Sequence, residues 1–152
     1  MSALQDSIVE IKKSYGFVAS EKFALTISQS EVYFDITIQH VTEQMKSFVM
    51  SGKMNELQEM LKGGVESVKN NPLVTEMIST TASKYYGLDW HEEKKYQLAE
   101  FTLGYILEGL KVQFAKSGHN LDMKGLMAFA GLDGFMGNIA GGLIGKFGKF
   151  FK

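Results

Sequence analysis

Proline is almost missing from this chain, and its one occurrence marks the start of a helix. Among 152 residues the only proline is Pro72, which follows Asn71. Asparagine favours the N-cap, and proline favours the first helical position because its missing N–H needs no partner there. Since proline inside a helix would break it, its scarcity leaves room for long helices along the whole chain.

Three segments in the first half of the chain have the apolar spacing of helices. The spacing predicts a first helix over 4–16 that stops at a glycine, and a second over 29–50 with Ser28 and Glu31 as a capping box. A third, shorter helix over 54–62 is closed by two glycines. The apolar positions concerned are Leu4, Ile8, Ile11 and Tyr15; Phe34, Ile38, Val41, Met45 and Phe48; and Met54, Leu57, Met60 and Leu61.

Residues 22–39 also fit a β-hairpin, the main alternative to an all-helical reading. Two runs alternate apolar residues with period two, on either side of Ser-Gln-Ser-Glu. The same residues fit a helical stripe, and the capping box favours the helix. The alternating residues are Phe23, Leu25 and Ile27, then Val32, Phe34, Ile36 and Ile38.

In the second half, start and stop signals predict a helix over 72–86 that ends at Gly87 and another that follows Asp89. Asp89 and Glu92 form a capping box, and the helix ends near Ser117. Its apolar residues cover a wide arc, which is typical of a central helix contacted from more than one side. One stripe comprises Phe101, Tyr105 and Val112, and the adjoining one Leu103, Ile106, Leu107, Leu110 and Phe114. Leu-Asp pairs at 121–122 and 132–133 predict two further short helices, from about Met123 and Gly134.

These signals predict one all-α domain over 1–152, a compact bundle of about five to seven helices ending in a Gly-rich amphipathic helix. The hydrophobic fraction of 45% and the charged fraction of 22% are those of a globular domain. The N-terminus has no secretory signal and no apolar run reaches the length of a membrane span, so we expect a cytoplasmic protein.

Composition argues against several functions. All 16 basic residues are lysine and the net charge is −1, so the guanidinium fork that reads guanine and phosphate is missing. We therefore expect no sequence-specific contact with nucleic acid. There is no cysteine, which excludes thiolate catalysis, zinc–thiolate sites and iron–sulfur clusters.

No motif for catalysis, metal or cofactor binding stands out, and we expect none of the three. His40 and Glu43 share a helix face, but two ligands do not make a catalytic metal site. The acids around His91 suit helix capping, and the sequence over 140–147 lacks the first glycine and the hydroxyl of a phosphate loop. A dense set of aromatic residues could line a ligand pocket, although its helical spacing is typical of a core: Tyr85, Tyr86, Trp90, Tyr96, Phe101 and Tyr105.

The C-terminal region, 121–152, carries the functional hypothesis. Over 134–151 it would form a helix about 27 Å long, with an apolar stripe, glycines at four-residue spacing and lysines at the end. Each interior glycine costs about 1 kcal/mol relative to alanine, so the helix needs a surface that shelters its apolar side chains. Its own core, a partner or second copy, or a membrane surface would serve.

The segment resembles Gly/Lys/Phe-rich amphipathic peptides that act on membranes, and that resemblance implies peripheral membrane binding. Our first hypothesis is a non-catalytic interaction or assembly module that contacts a protein partner or a second copy through this segment. The alternatives are a peripheral membrane or lipid-binding protein, and a small-ligand binder or enzyme of another class. The expected contact residues are Phe135, Met136, Ile139, Leu143, Lys146, Phe147, Lys149, Phe150 and Phe151.

Overall fold

The computed structural model describes residues 3–85 and 90–117, and every regular element within those ranges is helical. This confirms the all-α prediction, and the hairpin alternative over 22–39 is wrong. In the described residues no helix has both the length and the apolarity needed to cross a membrane. The elements are α1 (Ala3–Phe23), α2 (Ile27–Met50), α3 (Met54–Gly63), a 3-10 turn (Gly64–Glu66), α4 (Ser67–Asn70), α5 (Pro72–Ser83) and α6 (Glu92–Ser117). The helices predicted from Met123 and Gly134 lie outside the described residues.

Helix α6 is the centre of the bundle, as its wide apolar arc predicts. It contacts α1, α2, α3, α4, α5 and the 3-10 turn. Its most apolar stripe is fully buried against them, and each such side chain contributes roughly 1.5–3 kcal/mol of transfer free energy. The buried residues are Leu98, Leu103, Ile106, Leu107 and Leu110.

Helix α1 runs through Gly16 to Phe23, so the predicted end at Gly16 is wrong. The glycine lies where α1 and α2 approach each other, because a Cβ built on it would be 3.3 Å from the Ile27 side chain. Beyond it, Ala19 and Phe23 are buried and continue the apolar face of α1. Burial of these residues offsets the roughly 1 kcal/mol that an interior glycine costs.

Helices α1 and α2 end in the same way, although one uses alanine and the other glycine. Leu25 N–H donates to the Ser20 carbonyl at 3.1 Å, and Lys53 N–H donates to the Phe48 carbonyl at 2.8 Å. Both bonds belong to a Schellman motif, in which the residue before the N–H donor adopts positive φ. That residue is Ala24 at φ 55° in α1 and Gly52 at φ 74° in α2.

Helix α2 begins two residues earlier than predicted, with a different capping box. Gln29 N–H donates to Thr26 Oγ1 at 3.0 Å, and Thr26 N–H donates to Gln29 Oε1 at 2.9 Å. Ser28 and Glu31 therefore lie inside the helix, and the capping box predicted for them is wrong. The same S/T-x-x-E/Q pattern occurs at both places, and the earlier one satisfies the first N–H groups of the longer helix.

The second half agrees with the predicted caps more closely than with the predicted lengths. Leu73 N–H donates to Asn71 Oδ1 at 3.0 Å, which confirms the N-cap. Helix α5 ends at Ser83, three residues before the predicted Tyr86, and the ring of Tyr85 is buried in the core. Helix α6 begins at Glu92, after non-helical Trp90 and His91, and Asp89 lies outside the described residues. It is helical through Ser117, the last described residue, so its predicted end near Ser117 stays a prediction.

Two buried tyrosines anchor the centre of the core through threonine hydroxyls. Thr102 Oγ1 donates to the Leu98 carbonyl, so the 2.6 Å bond that joins it to Tyr15 must be donated by the Tyr15 phenol. Thr37 and Tyr85 repeat the arrangement, also at 2.6 Å, with the threonine donating to its own helix. Burial raises the pKa of both phenols, that of Tyr85 to about 12, so both stay neutral. Each hydroxyl is thus satisfied without water.

Candidate functional site

A long open groove lies along one face of α6, between α1 on one side and the 3-10 turn with α4 on the other. Its volume is about 1050 Å³. It extends along α6 from Lys94 to Gln113, which at 1.5 Å per residue is about 28 Å. Its apolar lining comes from both walls and from the floor: Phe23, Val65, Val68, Phe101, Tyr105 and Val112. We call it the α1–α6 groove.

Two glycines of α6 set the shape of the groove floor. A Cβ on Gly109 would lie 2.7 Å from the Ile11 side chain, so α1 approaches α6 as closely as glycine allows. A Cβ on Gly104 would lie 3.4 Å from Val65 and Val68, an ordinary contact distance. Helix α1 therefore packs closely on Gly109, and the other wall contacts α6 beside Gly104 at an ordinary distance.

The aromatic side chains of the groove belong to a cluster held at both ends. Phe101 packs against Phe23 and Tyr105 with ring centroids 5.6 and 5.8 Å apart, and Phe23 stacks on Trp90 at 6.3 Å. Ser14 Oγ donates to the Ile11 carbonyl, so the 2.6 Å bond to Tyr105 is donated by the tyrosine. Because these rings are held in place, the groove presents a preformed apolar surface.

Charged side chains of opposite sign stand at the two ends of the groove. At the end near the start of α6, Lys22 Nζ lies 5.4 Å from the Phe101 ring centroid and Lys94 Nζ lies 4.8 Å from that of Trp90. At the other end are Glu10 and Glu108. Glu108 Oε1 accepts the Val65 N–H at 3.0 Å, which fixes the 3-10 turn as a wall of the groove.

The lining also contains Glu100, next to Phe101 at the level of Lys22, and Lys69 on α4, one charge of each sign. Lys13 Nζ lies 4.0 Å from the Glu10 carboxylate at the acidic end. Among its lining side chains, the groove therefore has more lysines where α6 begins and more glutamates towards Gln113.

His40 lies elsewhere, in a small cavity of about 100 Å³ between α2 and α5. It is 5% exposed, and neither ring nitrogen has a hydrogen-bond partner among the described residues. Burial lowers the pKa of His40, and the charge of Lys84 lowers it further, so the ring is neutral near pH 7. The cavity is well below the 300 Å³ or so of an ordinary ligand site. Within 3–85 and 90–117, no group of three or more acids and histidines is placed to hold a metal ion.

The aromatic residues singled out by their density divide between the core and the groove. Tyr85 is in the core, Phe101 and Tyr105 line the groove, Trp90 stacks beside it, and Tyr96 is partly buried against the core. Tyr86 lies outside the described residues. Sequence reasoning missed Val65 and Val68, which come from a 3-10 turn and a one-turn helix too short for a periodic pattern.

The contact residues expected in the C-terminal segment all lie outside the described residues, so that expectation stays a prediction. They are Phe135, Met136, Ile139, Leu143, Lys146, Phe147, Lys149, Phe150 and Phe151. Comparison of the chain with protein-family models, curated proteins and solved structures finds no match.

Proposed function

We propose that this chain is a non-catalytic protein-interaction module that binds an amphipathic helix in the α1–α6 groove. The observation that carries the proposal is the groove itself, which has a volume of about 1050 Å³, a preformed and largely apolar lining, and charged side chains at its ends. Helix-in-groove recognition requires such a surface: an apolar floor for the stripe of the incoming helix, and polar edges for its flanks.

The dimensions and charges of the groove define its partner. A length of about 28 Å accepts a helix of roughly 19 residues. Glu10 and Glu108 favour a partner with basic side chains at one end, and Lys22 and Lys94 favour acidic side chains at the other. The expected partner is therefore an amphipathic helix of about five turns with opposite charges at its two ends.

Exposed residues permit a test that does not endanger the fold. Val112 is 42% exposed and lines the groove, whereas Val32 is 54% exposed on α2 and does not line it. In Val112→Gln a bound helix would bury a polar amide in place of an apolar side chain, and we expect binding to weaken at least about tenfold, or 1.4 kcal/mol. Val32→Gln makes the same uncharged change outside the groove and should leave affinity within about twofold, since a surface substitution away from the contact has little effect.

The probe is a fluorescein-labelled peptide of about 18 residues, roughly 27 Å as a helix, with a leucine stripe and lysines at its C-terminal end. A peptide of the same composition with the stripe scrambled is the control, and anisotropy measures both against the full chain and the two variants. Tight binding of the striped peptide that only Val112→Gln weakens supports the proposal. Equal binding of both peptides, or equal loss in both variants, overturns it.

Peripheral membrane binding is a further outcome of the same set of variants. Co-sedimentation with vesicles of mixed neutral and anionic lipid measures it. If the full chain binds vesicles and Val112→Gln releases it, the groove is a lipid site and the protein-interaction proposal fails. If vesicle binding is absent or is equal in Val112→Gln and Val32→Gln, the groove does not act on lipid and the proposal stands.

A further inference from the structure

We infer that the resident occupant of the α1–α6 groove is the chain's own C-terminal segment, residues 133–152, which an external helix must displace. The inference rests on the proposed function, because it names what competes for the same groove. It combines the described groove with the sequence of a segment that lies outside the described residues.

The segment has the size and composition that the groove requires. As a helix over 134–151 it would be about 27 Å long, against about 28 Å for the groove. Its apolar stripe supplies five large side chains for the groove floor: Phe135, Ile139, Leu143, Phe147 and Phe150. Because its several glycines each cost about 1 kcal/mol in a helix, it needs such a surface to become helical.

The charges of the segment match those of the groove in one orientation only. Lys146, Lys149 and Lys152 stand at one end and Asp133 at the other. Placed parallel to α6, the segment brings its lysines to the acidic end of the groove and its aspartate to the basic end. The opposite orientation would place like charges together at both ends.

The connection from α6 is long enough for this orientation. The described part of α6 runs to Ser117, near the acidic end, and in this orientation residues 118–132 would have to return to the basic end. Extended at about 3.3 Å per residue, that connection reaches roughly 50 Å, well beyond the roughly 28 Å of the groove. A tether that spans its sites gives an effective concentration in the millimolar range, so the chain's own segment outcompetes that of a second copy at ordinary protein concentration.

The absence of cysteine makes the placement directly measurable by paired cysteine substitutions in the full chain. Gln97 and Gln113 line opposite ends of the groove and lie about 24 Å apart along α6. The matched pairs are Gln113→Cys with Lys149→Cys, and Gln97→Cys with Asn138→Cys. The crossed pairs, Gln97→Cys with Lys149→Cys and Gln113→Cys with Asn138→Cys, are the controls.

With a short bis-maleimide crosslinker, the matched pairs should link within one chain at least about tenfold faster than the crossed pairs, given the effective concentration of a docked segment. Equal rates for all four pairs, faster crossed pairs, or products of twice the chain mass would overturn the inference. The last result would place the segment of a second copy in the groove.

Adding the leucine-stripe peptide separates this inference from the proposed function. Slower matched crosslinking in its presence supports both. Matched crosslinks that excess peptide never slows keep the inference and reject the proposed function, because the groove is then filled as part of the fold. Peptide binding that depends on Val112, without preferred matched crosslinks, keeps the proposed function and rejects the inference.

Discussion

The same substitution, glycine to alanine, should have different effects on stability at two positions of α6. Gly104 and Gly109 are interior residues of this helix, and alanine at either would gain about 1 kcal/mol of helix propensity. They differ in the space around the new methyl group. At Gly104 it would lie 3.4 Å from Val65 and Val68, in ordinary contact, whereas at Gly109 it would lie 2.7 Å from two carbons of Ile11.

These distances decide how the two effects on stability differ. Carbon atoms attract best at about 3.5–4.0 Å, so a contact at 2.7 Å must be relieved by moving Ile11 and α1, and overpacking of this kind costs about 1–3 kcal/mol. Gly104→Ala should therefore raise the free energy of unfolding by up to about 1 kcal/mol. Gly109→Ala should leave it unchanged or lower it by up to about 2 kcal/mol.

Urea unfolding followed by far-UV circular dichroism measures the difference, with similar m-values as the check that both variants unfold from equally compact states. Adding Ile11→Val to Gly109→Ala removes one methyl from the crowded side chain and should recover part of the loss. If Gly109→Ala were as stable as Gly104→Ala, the close approach of α1 to α6 would not be real.

Two further perturbations concern helix ends and pH. Ala24→Gly should raise the free energy of unfolding by about 0.5–1 kcal/mol, because positive φ costs alanine roughly 1–2 kcal/mol and costs glycine only added chain entropy. Gly52→Ala, at the equivalent place in α2 with open space around it, should lower the free energy of unfolding by a similar amount. Thermal unfolding that shifts both variants in the same direction would contradict this. Burial lowers the pKa of His40 from its ordinary value of 6.5, so the unfolded chain takes up a proton that the folded chain does not, and stability should fall as the pH drops below about 6.5. Denaturant unfolding at about pH 7.5 and about pH 5.5 should show a smaller loss for His40→Leu than for the parent chain, with exposed His91→Gln as the control, and equal losses in all three would refute it.

Sequence reasoning located the helices well and their ends less well. Asn71 caps α5 as the local signals predict, because a cap depends on residues within a few positions of one another. The local pattern predicts a stop at Gly16, which is an interior residue of α1, because the space at this glycine is limited by the Ile27 side chain of α2 and not by a turn.

The sequence indicates the α6 side of the groove but not its walls. The stripe of Phe101, Tyr105 and Val112 is distinct from the fully buried stripe of α6, and in the structure it faces the groove. Its walls could not be predicted. Val65 lies on a 3-10 turn that depends on the Glu108 carboxylate, a hydrogen bond between residues 43 positions apart.

The sequence by itself determined that this protein is helical, where most of its helices lie and which of them is central, because propensity, capping and apolar periodicity act over a few residues. Tertiary structure alone decided that α1 continues past a glycine, that two tyrosines meet threonines in the core, and that a groove with opposite charges at its ends runs along α6. Those features depend on which helix faces reach contact distance. That outcome is set by the simultaneous packing of all the helices, and no single segment encodes it.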